Sequence, residues 1–167
     1  MWRRTEVPQG GRNKYEVDHE SGRIRLDRTL FTATSYHTPL TTASSRTPIG
    51  LDADPLDALV LTQCPTFPGG QIRCRPIGMF RMVDEAGLDD KIVCVPAEDT
   101  RQEHLREILD VSEFHRLEIQ HFFEVYKELE PGKAVESGTS WAGREDAEAE
   151  VREALARARR PADSRTG

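Results

Sequence analysis

The sequence predicts one domain that is mainly β-strand, with two helices toward its carboxyl end. Segments 14–28 and 58–96 alternate apolar with polar residues or form short apolar runs, as strands do. Segments 110–130 and 144–159 repeat apolar residues every three or four positions, as helices do. With 167 residues, 37% of them hydrophobic and 31% charged, the chain is long enough to bury one core. We expect that domain to span residues 1–160.

The overall charge and the lack of long apolar runs exclude several classes of protein. A net charge of −6 argues against a nucleic-acid partner, which requires a basic surface. No run reaches the roughly 18 apolar residues of a membrane span, and the basic start of the chain is not followed by the apolar segment of a signal peptide. Three cysteines form no CxxC pair and are expected to be reduced, buried thiols of a cytoplasmic protein: Cys64, Cys74 and Cys94.

The first strands are predicted to form a hairpin after a short strand end at Glu6. Residues 14–19 and 23–28 alternate on either side of a turn at 20–22. One face of this hairpin carries the charges of Lys14, Glu16 and Arg25, which taken alone indicate only a solvated sheet face. Residues 30–50 follow, rich in Thr and Ser with no apolar period, and their composition predicts a flexible loop. A structureless loop of about 20 residues is unusual in a compact domain.

A cluster of carboxylates then leads into the apolar strand 58–61. Asp52, Asp54 and Asp57 fall within six residues. Two carboxylates about 4 Å apart repel by roughly 4 kcal/mol at an effective dielectric near 20, so a cluster held that close favours a bound cation. Oxygen ligands suit a hard cation, magnesium first. For this stretch alone, an acidic solvated turn is an equal alternative.

Two more strands and two helices complete the prediction. Strands at 72–83 and 91–96 flank an acidic hairpin turn that carries Asp84 and Asp89. A helix opens at Asp110 or Ser112, either of which can cap its first turn. Its predicted core-facing stripe is Phe114, Leu117, His121, Phe122 and Val125. A second amphipathic helix covers 144–159, and the polar tail 161–167 is expected to be disordered.

Taken together, these motifs resemble those of the family I soluble inorganic pyrophosphatases. The matching segments occur in the family's order over about residues 6–155, and they are 14–18, 26–28, 52–57, 73–78, 84–91 and 121–129. The Asp-x-Asp-Pro-x-Asp signature at 52–57 is the most specific of them. The resemblance implies a small five-stranded, OB-like closed barrel flanked by two helices. It also implies magnesium-dependent hydrolysis of inorganic diphosphate, a cytoplasmic location and, in bacterial forms, a homohexamer.

The resemblance also implies roles for individual residues. The metal ligands would be Asp52, Asp57, Asp84 and Asp89, with Glu6 as an outer or additional ligand. Asp54 would deprotonate or orient the attacking water, and Asp89 is the other candidate for that role. The phosphates would be held by Lys14, Arg28, Lys91, Tyr126 and Lys127. This set fits the chemistry, because phosphoryl transfer from a compact polyanion to water needs charge neutralisation and a nucleophile near neutral pH.

Simpler interpretations exist for single members of this set. Tyr126 could end the aromatic stripe of its helix, and Lys127 could be a solvated cation at the helix end. Arg28 could pair with Asp27 or Glu16 on the surface. Two wider alternatives to the enzyme are a non-catalytic OB-type module that binds a phosphate-bearing ligand and a structural subunit that keeps only the fold.

The chain departs from the family pattern most strongly over residues 37–49. Ala53 also stands where the family usually has Gly, Ser, Asn or Asp, and the amino end is short. After Tyr36 the family reads approximately Tyr-Pro-x-Asp-Tyr-Gly-Phe-Ile-Glu-Asp-Thr, with a phosphate-binding Tyr where Leu40 stands in a gapless count. This stretch is also about two residues longer than in the family.

A local shift of reading frame would account for this departure. One codon spelling of Asp-Tyr-Gly-Phe-Ile-Glu-Asp-Thr, read one base later, translates as Thr-Thr-Ala-Ser-Ser-Arg-Thr-Pro, which is the sequence of residues 41–48. We interpret the segment as such a shift, in the gene or in its recorded sequence; the alternative is an ordinary divergent loop. The segment is therefore expected to weaken both stability and turnover.

Overall fold

The strands and helices follow the predicted order, with additional short strands. The computed structural model describes residues 1–18, 21–32, 40–44, 56–85, 87–132 and 138–159. Within these ranges the elements are β1 Trp2–Val7, β2 Asn13–Val17, β3 Ile24–Thr29, β4 Leu40–Ser44, β5 Ala58–Leu61, β6 Gln71–Arg81, β7 Val83–Asp84, β8 Gly87–Leu88, β9 Lys91–Pro96, α1 Glu113–Val125, β10 Ser140–Ala142 and α2 Arg144–Arg159. The expectation of a mainly β chain with two helices is confirmed. The predicted tail 161–167 lies outside the described residues.

Six strands form the main sheet, in the order β1-β4-β5-β9-β6-β10, and β1 pairs with β6 in addition. Most neighbours are antiparallel, but β5 and β9 run parallel, with Ala58 opposite Ile92. The strands β2 and β3 make a separate two-stranded sheet, as the predicted hairpin requires, and β7 with β8 makes another. The parallel pair matters for the site, because it sets the first residues of β5 and β9 side by side.

The core lies between the main sheet and the two helices. Leu59, Ile77 and Phe80 are fully or almost fully buried, as expected from their apolar runs. The helix α1 begins after Ser112, whose hydroxyl accepts from the His115 N–H and caps the first turn. No helix in the described part of the chain is both long and apolar enough to cross a membrane.

The predicted core-facing stripe of α1 is wrong in three of its five members. Phe114 and Leu117 are 74% and 53% exposed, and His121 is also exposed. The residues of α1 and its end that enter the core are Ile119, Phe122, Phe123 and Tyr126. Both sets repeat at three and four residues, so periodicity alone cannot tell which apolar face of this helix meets the sheet.

Two further expectations from composition are corrected. The Thr/Ser-rich segment 30–50 contains a strand, β4, whose backbone pairs with β1 on one side and β5 on the other. Thr is a favourable strand residue because it is β-branched, and here the neighbouring strands override the loop-like composition. Cys74 and Cys94 are buried free thiols as predicted, but Cys64 is exposed, since it follows β5 in a surface loop.

Gly78 allows the close approach of β6 to the segment before α1. A Cβ atom at this position would lie 2.6 Å from the Ile108 Cβ and 2.9 Å from the Ala142 carbonyl oxygen. We therefore expect Gly78→Ala to lower the free energy of unfolding by about 1–3 kcal/mol, because neither the backbone nor a branched Cβ can move aside cheaply. Urea denaturation measures this change, and an unaltered midpoint would contradict the packing described.

Candidate active site

One buried lysine joins carboxylates from two separate parts of the chain. Asp57 directly precedes β5 and Lys91 opens β9, so the parallel pairing of these strands sets the two residues together. The Lys91 Nζ lies 2.8 Å from Asp57 Oδ2 and 2.5 Å from Asp89 Oδ1. Its side chain is only 6% exposed. A buried ammonium is tolerated here because two carboxylates pair with it.

A second lysine makes the same kind of bridge at the end of α1. The Lys127 Nζ lies 2.6 Å from Asp84 Oδ2 and about 3.1–3.2 Å from both carboxylate oxygens of Glu85. Asp84 ends β7 and Glu85 follows in the turn to β8, so the acidic hairpin presents both carboxylates to the helix end. Lys127 and Asp84 are 7% and 10% exposed, while Glu85 is 35% exposed.

The two bridges belong to one electrostatic cluster. Burial raises the pKa of the Asp89 carboxyl; Lys91 opposes that rise, and the nearby carboxylates of Asp57 and Asp84 add to it. Burial also raises the pKa of the Tyr126 phenol, against the opposing charges of Lys91 and Lys127. Tyr126 therefore lies within the field of both ammonium groups.

Both lysines are held firmly in the charged form. Burial alone would lower the pKa of the Lys91 ammonium, but Asp57 and Asp89 outweigh it and raise that pKa above its usual range. Burial likewise opposes the charge of Lys127, and the hydrogen bond to Asp84 leads the effects that raise its pKa. The cluster therefore carries two fixed positive charges beside its carboxylates.

The other predicted residues fall into two groups. Lys14 and Arg28 stand opposite each other on the β2–β3 hairpin, and Glu6 lies near the end of β1. The Arg28 Nε is buried and has no hydrogen-bond partner within the described ranges. Asp52 and Asp54 lie outside the described residues, as does most of the segment 37–49.

The donor set of the cluster fits a divalent cation. Counted over the described residues, the cluster has two more carboxylates than ammonium groups; the carboxylates are Asp57, Asp84, Glu85 and Asp89, and the ammonium groups are Lys91 and Lys127. All the donors are oxygen atoms, which magnesium prefers. Among the described residues, no three acidic, His or Cys side chains converge closely enough to hold a metal by themselves. In this state the lysine ammonium groups stand between the carboxylates instead.

Two contacts with the end of α1 were not predicted from the sequence. Glu85 stands beside Asp84 in the acidic turn and was not assigned a role, although its carboxylate binds Lys127. The signal for it was present, since it belongs to the same run of acidic residues. The Thr32 hydroxyl lies 3.2 Å from the carbonyl oxygens of Val125 and Tyr126, and no local motif points to a contact across 93 or 94 residues.

Comparison with known proteins agrees with this fold. The family model described as inorganic pyrophosphatase matches residues 4–159. An inorganic pyrophosphatase of Streptomyces coelicolor is 66% identical over 87% of this chain and 88% of its own length. One of Corynebacterium glutamicum is 47% identical over 91% and 94%. The crystal structure of inorganic pyrophosphatase from Thermus thermophilus superposes with a TM-score of 0.89 at 42% identity, covering 96% of this chain and 91% of that one.

The match extends over nearly the whole chain, in sequence and in backbone alike. The resemblance noted from the motifs alone is confirmed by it: this chain belongs to the family I soluble inorganic pyrophosphatases.

Proposed function

We propose that this chain hydrolyses inorganic pyrophosphate to two phosphates and that magnesium is its cofactor. The observation that carries the proposal is the pair of lysine–carboxylate bridges that share one electrostatic cluster. Carboxylates suit a hard cation, and ammonium groups beside them suit the phosphates of a compact polyanion. Family membership adds support, because the relatives are named as pyrophosphatases.

The proposed roles follow the family resemblance residue by residue. The proposed metal ligands are Asp52, Asp57, Asp84 and Asp89, with Glu6 as an additional ligand. Bound magnesium supplies neutralisation of phosphate charge and acidification of a water molecule. The carboxylate of Asp54 orients the attacking water and accepts its proton, with Asp89 as the other candidate. Water then forms a bond to one phosphorus while the bond from that phosphorus to the bridging oxygen breaks.

The lysines and their partners hold the phosphates in this proposal. The proposed phosphate-binding residues are Lys14, Arg28, Lys91, Tyr126 and Lys127. The Arg28 guanidinium suits a forked phosphate contact, and its Nε has no partner in the described part of the chain. The ammonium of Lys127 now rests on Asp84 and Glu85, so it must turn from these carboxylates to reach a phosphate.

The finer structural expectations are also proposals. We propose that the sheet closes into a five-stranded, OB-like barrel; what supports this is that β1 pairs with β6 as well as with β4. The single domain 1–160 is supported by the family match over residues 4–159. A homohexamer and a cytoplasmic location are proposed from the family. The exposed apolar residues Leu109, Phe114 and Leu117 support an oligomer, since such side chains around the start of α1 favour a covered surface.

Phosphate release from pyrophosphate, measured with magnesium and with a chelator, tests the proposed activity. We expect release only with magnesium. Asp57→Asn is expected to lose about 100-fold or more in turnover, because the contribution of a metal site amounts to several kcal/mol of barrier. The matched control is Asp99→Asn, which removes a carboxylate outside the cluster that is 15% exposed and paired with Arg101, and it is expected to keep the activity of the unmutated chain. Equal activity of both variants would refute the site.

A further inference from the structure

Thr32, in the segment that follows β3, is hydrogen-bonded to the end of α1. Its side chain is buried, with 9% exposed. The hydroxyl donates to two carbonyl oxygens, those of Val125 and Tyr126, each at 3.2 Å. These carbonyls lie at the carboxyl end of the helix, where the regular helical hydrogen bonds stop. Thr32 therefore provides a hydrogen-bond donor for the two backbone carbonyl groups immediately before Lys127.

The segment that carries Thr32 is itself held in place. The Arg12 guanidinium donates from Nε to the Leu30 carbonyl oxygen at 2.9 Å and from Nη2 to the Phe31 carbonyl oxygen at 2.6 Å. The Leu30 N–H donates to the Arg12 carbonyl oxygen at 2.7 Å. Thr32 thus extends from a fixed support rather than from a free strand end.

The backbone at Val125 and Tyr126 sets the position of the phosphate-binding side chains. The Val125 carbonyl oxygen also accepts from the Glu128 N–H at 3.0 Å, and the Lys127 carbonyl oxygen accepts from the Glu130 N–H at 2.8 Å. The hydroxyl of Thr32 fixes the peptide group between Tyr126 and Lys127 from outside the helix. A shift of this peptide would carry the Lys127 ammonium away from its place beside Asp84.

We propose that Thr32 is a positioning residue for pyrophosphate binding, acting through the backbone of Tyr126 and Lys127. This inference rests on the proposed function, since it assumes that Lys127 holds a phosphate. The role of Thr32 is to hold the Lys127 backbone fixed while the ammonium group moves from Asp84 and Glu85 to the substrate. Loss of this positioning is expected to change the affinity for pyrophosphate more than turnover, because Lys127 contacts the phosphate in the bound substrate and in the transition state alike.

The test compares Thr32→Val with Thr32→Ser. Valine keeps the shape of the side chain but has no hydroxyl, whereas serine keeps the hydroxyl. We expect Thr32→Val to raise the KM for pyrophosphate about 3- to 10-fold with kcat within about twofold, the size of effect that one hydrogen bond supports. Thr32→Ser is expected to restore the KM of the unmutated chain.

The matched control is Thr139→Val. The Thr139 hydroxyl also bonds to α1, but it donates to the exposed Glu124 carboxylate at 3.0 Å and not to the carbonyls at the helix end. Loss of this hydroxyl is expected to leave KM unchanged. A KM for Thr32→Val equal to that of Thr139→Val, or a lower stability of Thr32→Val with an unaltered KM, would overturn the proposal and leave Thr32 a structural residue.

A second readout does not depend on activity. The Lys127 ammonium is buried and paired, so its acetylation by a small reagent, followed by mass spectrometry, is expected to be slow relative to Lys14. Thr32→Val is expected to increase the relative rate at Lys127, and Thr32→Ser to leave it low. Equal rates in the two variants contradict the proposal. If the unmutated chain neither hydrolyses nor binds pyrophosphate, the proposed function fails, and the acetylation rates still decide whether Thr32 positions Lys127.

Discussion

Replacement of residues 41–48 by the family motif is expected to raise turnover about 10- to 100-fold over the chain as it stands. The motif restores a phosphate-binding Tyr, and a hydrogen bond to a charged group contributes about 1.5–3 kcal/mol. The replacement is T41D, T42Y, A43G, S44F, S45I, R46E, T47D and P48T. Its control keeps the segment and changes only its length by deleting two residues before position 40.

The same replacement is expected to increase stability. The backbone of β4 lies between β1 and β5, and its partners in β5 include Leu59 and Val60, which are fully buried. The motif places Tyr, Phe and Ile where the chain has Thr and Ser, and burial of each large apolar side chain contributes about 1.5–3 kcal/mol. Chemical denaturation and phosphate release measure the two effects.

Two results would contradict the frame-shift interpretation. One is turnover of the unmutated chain equal to that of the replaced chain, since the altered segment would then not lower turnover. The other is a coding DNA over codons 36–52 that cannot yield the family motif in any other frame. In that case the segment is an ordinary divergent loop.

Lys91→Met is expected to destabilise the metal-free protein by about 2–3 kcal/mol. It leaves the carboxylates of Asp57 and Asp89 facing each other without the cation between them, and breaking a buried pair commonly costs about 3–5 kcal/mol. We take a value below that range because Asp57 is 33% exposed. Magnesium is expected to reduce the loss, because a divalent cation would neutralise the same carboxylates.

Urea denaturation of Lys91→Met with and without magnesium measures this effect. The control is Arg73→Met, which breaks an exposed pair with Glu98 and is expected to cost less than about 1 kcal/mol in either condition. An equal loss for Lys91→Met with and without magnesium would mean that the cation does not bind where the lysine does.

The sequence was most informative where local pattern decides the structure. The hairpin β2–β3 and the strands β5 and β9 follow their alternation or apolar runs because each has one consistent environment. The strand β4 was not predicted, because its Thr and Ser residues adopt a strand conformation only through pairing with β1 and β5. Three members of the predicted core-facing stripe of α1 are exposed although Phe122 is buried as predicted, because both apolar faces have helical spacing.

The site was predictable in its residue types but not in its connections. Resemblance named Asp57, Asp89 and Lys91, and the parallel pairing of β5 with β9 brings them into contact. No sequence pattern indicates that a single ammonium group bridges two carboxylates. The contacts of Glu85 and Thr32 with the end of α1 depend on tertiary packing, which local spacing does not encode.

Crystals grown with manganese and a non-hydrolysable pyrophosphate analogue test the central claim most directly. We predict anomalous density for the metal among Asp57, Asp84 and Asp89, with the ammonium groups of Lys91 and Lys127 turned toward the phosphates. Anomalous density elsewhere, or both lysines still bridging their carboxylates with the analogue bound, would contradict the account.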